Sequence, residues 1–253
     1  MKIVRFKAGD DIAYGLAEAE GVTVYQGSPL FAWEATETVV PWEDVQLLAP
    51  VLPSKVIAVD ANFLETEDDG AAQLSSDPLI TLKPATAVTG PNAPIVHPPA
   101  TSELVHQASL AVIVGRLARA IRAEDASQYI FGYTAASDMV AADIERSEAR
   151  SSRARSYDTF CPLGPAVETE LDPLERLAII SRVDGDVRQA GFTSDMIFGV
   201  AEILAFVSTV MTLLPGDVVL MGTPPGAAPV APGDVVETEV DGIGSLFNRI
   251  VRA

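Results

Sequence analysis

Two Asp-Gly dipeptides most constrain how this chain can fold. Asp184-Gly185 separates the runs Leu177 to Val183 and Val187 to Gly191, and Asp241-Gly242 separates Val235 to Val240 from Ser245 to Val251. Both residues of such a dipeptide tolerate positive φ, which a tight turn between twisted antiparallel strands requires. The second half of the chain is therefore committed to hairpins. Leu110 to Gly115 and Tyr129 to Thr134 are continuous apolar runs suited to central strands. The first fifty residues read as short strands as well. Lys2 to Phe6, Ile12 to Leu16 and Val22 to Tyr25 are divided by GD, EG and GSP turn signals.

These signals predict a small β-rich N-terminal module over residues 1–50 and a larger domain over 51–253, the latter opening with a buried strand at Lys55 to Val59. Residues 64–78 are acidic and poor in large apolar groups, the pattern of a mobile loop. Two helices interrupt the strands. Ser137 is placed to cap one from about Asp138 to Arg150, and Thr193 or Ser194 one from about Asp195 to Thr212, ended by Pro215-Gly216. The fold class that follows is α+β, mainly β.

Composition narrows the function. A formal charge of −18 excludes a general phosphate-binding surface, so no nucleic-acid partner is expected, although Arg146, Arg150, Arg153 and Arg155 form a local basic patch. The single cysteine, Cys161, can form no internal disulfide. The longest greasy stretch, Met196 to Leu214, is broken by Gly199, Glu202, Ser208, Thr209 and Thr212, so no membrane span is expected. The N-terminus opens on a strand pattern with no signal core, and a cytoplasmic location is expected.

Four segments carry a resemblance. RARSYDTFCPLGP (Arg153 to Pro165), GYTAASDMVAAD (Gly132 to Asp143), the long run from Thr193 to Gly226 containing MGTPPG, and DGIGSLFNRIV (Asp241 to Val251) together resemble the fumarylacetoacetate hydrolase superfamily. The resemblance implies a β-roll core over roughly residues 50–253. It also implies a divalent metal (magnesium, manganese or calcium), a 1,3-dicarbonyl or 2-oxo acid substrate, and a homodimer.

Position by position, this sequence departs from the family pattern. Where a His-Glu pair activates water in the family, Asn62 to Asp69 reads NFLETEDD, with Thr66 in place of the histidine. A threonine hydroxyl cannot act as a base near neutral pH, as imidazole can. Where two glutamates join an aspartate on the metal, Val105 to Gly115 reads VHQASLAVIVG. Gln107 and Ser109 take the glutamate positions and Asp138 keeps the aspartate. Hard cations need several oxygen ligands, preferably anionic, so no catalytic metal is expected beyond a weak residual site at Asp138. The family lysine corresponds to Arg155, which keeps the charge but cannot serve as a base.

The resemblance thus assigns catalysis to Asp138, Arg155 and Gln107, and substrate contact to Thr223, Gly222, Gln189, Ser109, Asn62, Tyr133 and Thr66. Asp138 is expected to work as acid or base if burial moves its pKa. His106 lies on the strand face opposite Gln107 and Ser109 and is expected to be packed away. His97, beside two prolines, is expected at the surface, and Cys161 as a small buried hydrophobe. Three readings stand. The first is a metal-independent enzyme on a carbonyl or carboxylate substrate, performing tautomerisation, decarboxylation, dehydration or cyclisation, with a place in specialised metabolism. The second is a non-catalytic binding or partner protein. The third is a metal-dependent hydrolase or isomerase with ligands relocated, for example to Glu103 or Glu145.

Overall fold

The computed structural model describes residues 1–64, 76–148, 152–172 and 175–253. The N-terminal strands β1 (Lys2–Ala8), β2 (Asp11–Ala17), β3 (Gly21–Gly27) and β4 (Trp33–Pro41) form a meander, and β5 (Gln46–Leu48) returns to pair with β1. Then follow β6 (Lys55–Asp60), β7 (Leu79–Pro84), the short β8 (Val88–Thr89) and β9 (Ile95–His97), and the long pair β10 (Leu104–Val114) and β11 (Ile130–Ala141). Two short helices, α1 (Ala142–Ser147) and α2 (Ser152–Arg155), lead to β12 (Cys161–Glu168). The hairpin β13 (Ala178–Val183) and β14 (Asp186–Phe192) precedes α3 (Val200–Val210). Strands β15 (Val218–Leu220), β16 (Ala228–Val230), β17 (Val235–Val240) and β18 (Gly244–Arg252) complete the chain.

The strands sort into two sheets. The larger runs β4-β3-β2-β1-β12-β11-β10-β15-β6-β7, with β5, β8 and β16 attached at its sides. Strand β1 joins the N-terminal meander to it through Lys2↔Glu168 and Ile3↔Val167. The smaller sheet runs β14-β13-β17-β18-β9. Both Asp-Gly dipeptides lie in hairpin loops, the first of two residues and the second of three, where Asp241 itself is not at positive φ. Asp184 and Gly185 adopt φ of 50° and 88°, and Gly242 adopts 77°. Strands β10 and β11 sit at the centre, nearly every residue buried, with an apolar core on each side of them.

Both predicted helices need correction. Ser137 and Asp138 cap nothing: β11 continues to Ala141 because Leu104 to Ala108 of β10 stay paired with it, and α1 spans only Ala142–Ser147. Tertiary pairing of a fully buried segment overrides the local capping preference. Likewise, Thr193–Asp195 is a single 3-10 turn. The α-helix begins after Gly199, whose N–H donates to Glu202 Oε2 at 2.8 Å, and ends at Val210. Most of the acidic segment 64–78 lies outside the described residues.

Candidate active site

Five elements converge on a cavity of about 70 Å³ lined by Asp60, Gln107, Asp138, Arg155, Gly222 and Thr223, among others. Asp60 ends β6, and Arg155 ends α2. Gln107 of β10 is the direct cross-strand partner of Asp138 on β11, so their side chains share a face. Gly222 and Thr223 follow β15.

Alternating charges organise this cluster. Arg155 donates from Nη1 to Asp138 Oδ2 at 2.9 Å and from Nε to Glu145 Oε1 at 2.9 Å, and its Nη2 lies 3.0 Å from Asp60 Oδ1. The other oxygen of Asp138 accepts from Lys83 Nζ at 2.5 Å, and Lys83 also donates to the Met139 carbonyl at 3.1 Å. Lys83 is fully buried, and neither it nor Asp60 was expected from the sequence. A sequence signal existed for Asp60, whereas for Lys83 only the structure supplies one. Asp60 is the one carboxylate on the buried run KVIAVD, and Lys83 falls on the same alternating face of LITLKP as the buried Thr81.

The two aspartates are pushed in opposite directions. Burial acts to raise Asp138, but the Lys83 ammonium and Arg155 guanidinium outweigh it and hold its carboxyl below the ordinary value. Asp138 therefore stays ionised, which corrects the expectation that it serves as acid or base. For Asp60, burial outweighs Arg155 and the Thr81 hydroxyl, whose Oγ1 lies 2.7 Å from Oδ2, and the pKa is raised. Arg155 is held well above its usual value, because Asp138, Asp60 and Glu145 overcome its burial.

Behind the wall stand Gln189 and Asn62. Gln189 accepts from Ala108 N–H at 2.9 Å and donates to Thr223 Oγ1 at 2.8 Å and to the Pro224 carbonyl. Because the Thr223 oxygen accepts there, its own proton is left to point elsewhere. Asn62 donates to the Phe198 and Met221 carbonyls at 3.1 and 2.8 Å and accepts from Phe198 N–H at 2.9 Å. Its amide holds the wall and has no donor left for a substrate. Gly222 sits at φ of 89°, and a Cβ there would lie 2.8 Å from the Asn62 Cβ, so only glycine fits.

Other expected substrate contacts lie elsewhere. Ser109 is buried, donates to the Leu110 carbonyl at 3.1 Å and does not line the cavity. Tyr133 borders a different cavity. Thr66 lies outside the described residues, as do Glu65, Glu67, Asp68, Asp69 and Arg150. His106 is buried away from the site. Its Nε2 lies 3.0 Å from Ser137 Oγ and 3.2 Å from Thr238 Oγ1, and its Nδ1 lies 3.0 Å from Ser181 Oγ. His97 is half-buried in β9, not at the surface, and Cys161 is buried, with its thiol pushed up to about 12 by burial.

The donor set fits a divalent metal poorly. Both oxygens of Asp138 are engaged by cationic side chains, Gln107 is neutral, and Ser109 faces a backbone carbonyl. The candidate relocated ligands are spoken for, Glu103 by Arg146 and Glu145 by Arg155. Among the described residues, no group of three or more His, Cys, Asp and Glu side chains is placed to hold a metal ion. Nor is any helix among them long and apolar enough to cross a membrane.

A mainly β fold of two sheets with a charged cavity beside its central strands defines a recognisable class. The family described as fumarylacetoacetate (FAA) hydrolase C-terminal matches residues 55–251, and the one described as Rv2993c-like, N-terminal matches residues 1–50. The chain belongs to the fumarylacetoacetate hydrolase family. It is 37% identical to the mitochondrial oxaloacetate tautomerase FAHD2B of Homo sapiens, over 84% of this chain and 72% of that one. It is similar to the solved structure of 5-carboxymethyl-2-hydroxymuconate delta-isomerase from Mycobacterium smegmatis, with a TM-score of 0.93, 39% identity and 100% of both chains covered. Maleylpyruvate hydrolase from Sphingobium sp. SYK-6, in complex with manganese(II) ion and pyruvate, gives a TM-score of 0.81 at 28% identity, again over 100% of both chains.

Proposed function

We propose that this protein catalyses a metal-independent keto–enol tautomerisation of a small 2-oxo acid. The observation that carries this reading is the ion-paired row Asp60–Arg155–Asp138, which borders one small cavity together with Thr223 and is backed by the buried Lys83 behind Asp138. A tautomerase needs one group on the cavity wall that exchanges a proton and several that stabilise an enolate. Asp60, with its raised pKa, is the exchanging group. It takes the proton from the carbon beside the substrate carbonyl, and the electron pair moves onto the carbonyl oxygen. The same carboxyl then returns the proton to that oxygen, giving the enol. The Thr223 hydroxyl and the Gln107 amide face the developing charge, and Arg155 supplies a fixed positive field. Asp138, kept ionised by Lys83, holds Arg155 in place.

Two relatives act in the same chemical territory by their names, an oxaloacetate tautomerase and a hydroxymuconate isomerase. The metal-free part of the reading is supported by the two buried cations that already engage the Asp138 carboxylate.

Decay of the enol absorbance of freshly dissolved oxaloacetate tests the reading. The protein is expected to accelerate it in the presence of EDTA, and Asp60→Asn to lower kcat by about 10²- to 10⁴-fold with an unchanged circular dichroism spectrum. Acceleration that appears only on adding manganese or magnesium would overturn the metal-free chemistry. Calorimetric binding of oxalate without any acceleration would establish a binding protein instead.

A further inference from the structure

On the far side of the central strands lies a second, larger cavity, of about 490 Å³, which shares no lining residue with the charged one. Met196, Val200 and Ala201 give it apolar walls, and Tyr133, Asp172 and Glu202 are its notable polar groups. Its size lies in the range of small-molecule sites, about 300–1,000 Å³. Among the described residues no lysine or arginine lines it, so an anionic oxo acid would meet two carboxylates there.

One group points to a ligand. Tyr133 is only 4% exposed, yet no described residue hydrogen-bonds its hydroxyl. A phenol hydroxyl that opens onto a largely apolar cavity is a donor available to whatever fills that cavity. Burial and the nearby Asp172 both push its pKa upward, so it remains protonated and presents a donor. We infer that this cavity is a second binding site, for a neutral or cationic small molecule with an aromatic body and a polar end that meets the Tyr133 hydroxyl.

Tryptamine, tryptophol and indole-3-acetate carry one ring with a cationic, a neutral and an anionic tail, and titration of the intact protein by calorimetry separates them. Tryptamine and tryptophol are expected to bind, and indole-3-acetate at least about ten-fold more weakly. Ala201→Trp, which fills the cavity, should abolish binding. Tyr133→Phe, which leaves the shape intact, should weaken tryptophol about three-fold or more. The inference is overturned if none of the three probes binds or if the anion binds as tightly as the amine. It is equally overturned if binding survives both substitutions. If Ala201→Trp turns a dimer into a monomer in sedimentation, the cavity is a contact between copies and not a ligand site.

Discussion

Strands β10 and β11 carry two buried polar clusters, one residue apart in each strand and facing opposite ways. Gln107 and Asp138 face a cavity with Arg155, and Lys83 pairs with Asp138, whereas His106 and Ser137 face the smaller sheet with Ser181 and Thr238. The first cluster solves desolvation with formal charges in ion pairs. The second uses one imidazole and three hydroxyls, all neutral, because burial drives His106 down to about 4. Burying charge is rarely the best route to stability, and a neutral network satisfies the same strands. The difference teaches what each solution leaves open: the charged side borders a cavity, while the neutral side joins the two sheets.

Lys83→Met should bring the largest change. It leaves Asp138 with one of its two cations, and loss of a buried ion-pair partner destabilises by about 3–5 kcal/mol, readable in urea unfolding. Unchanged stability would show that the charged cluster resembles the neutral one after all.

A smaller effect separates the clusters by pH. His106 has a folded pKa below its unfolded value of 6.5, so the unfolded chain takes up the proton first. Its stabilisation is complete above that value and is lost as pH falls toward 4. From pH 7 to 5 the loss from this group is about 2 kcal/mol, and His106→Asn should remove that slope. Asp138, whose pKa is lowered, contributes with the same sign, but its share is lost only below the ordinary carboxylate range. A slope that survives His106→Asn would mean that another group titrates there.

The smallest expected effect is that of Thr223→Val. It keeps the shape, removes the hydroxyl braced by Gln189, and should lower kcat/KM about five- to ten-fold, the worth of one hydrogen bond. Equal activity would take Thr223 out of the site.

Much of the fold was legible because hairpins declare themselves locally. Asp184-Gly185 specified its turn, and the motifs ending at Pro165 and Gly226 specified the family. Ser137-Asp138 misled because a capping pair and a buried strand segment look alike until β10 is seen paired against them. At the site, Gln107, Asp138, Arg155, Gly222 and Thr223 were legible by position and do line one cavity. Lys83 was not, because a lysine in an edge strand reads as solvated, and its burial depends on Asp138, 55 residues away. Asn62 and Gln189 were legible as site residues but not as braces, a distinction that only their hydrogen-bond partners draw.

The charged row has one more consequence. Among the described residues, Asp60, Asp138 and Glu145 pair with Arg155 and Lys83, three carboxylates against two cations when all are ionised. An anionic substrate entering beside them adds to that excess, and Asp60, already reluctant to ionise, is the group that can relieve it. If the proposed function holds, capture of an anionic substrate is coupled to proton uptake, and affinity should rise as the solution is made more acidic. The heat of binding should vary with the ionisation enthalpy of the buffer.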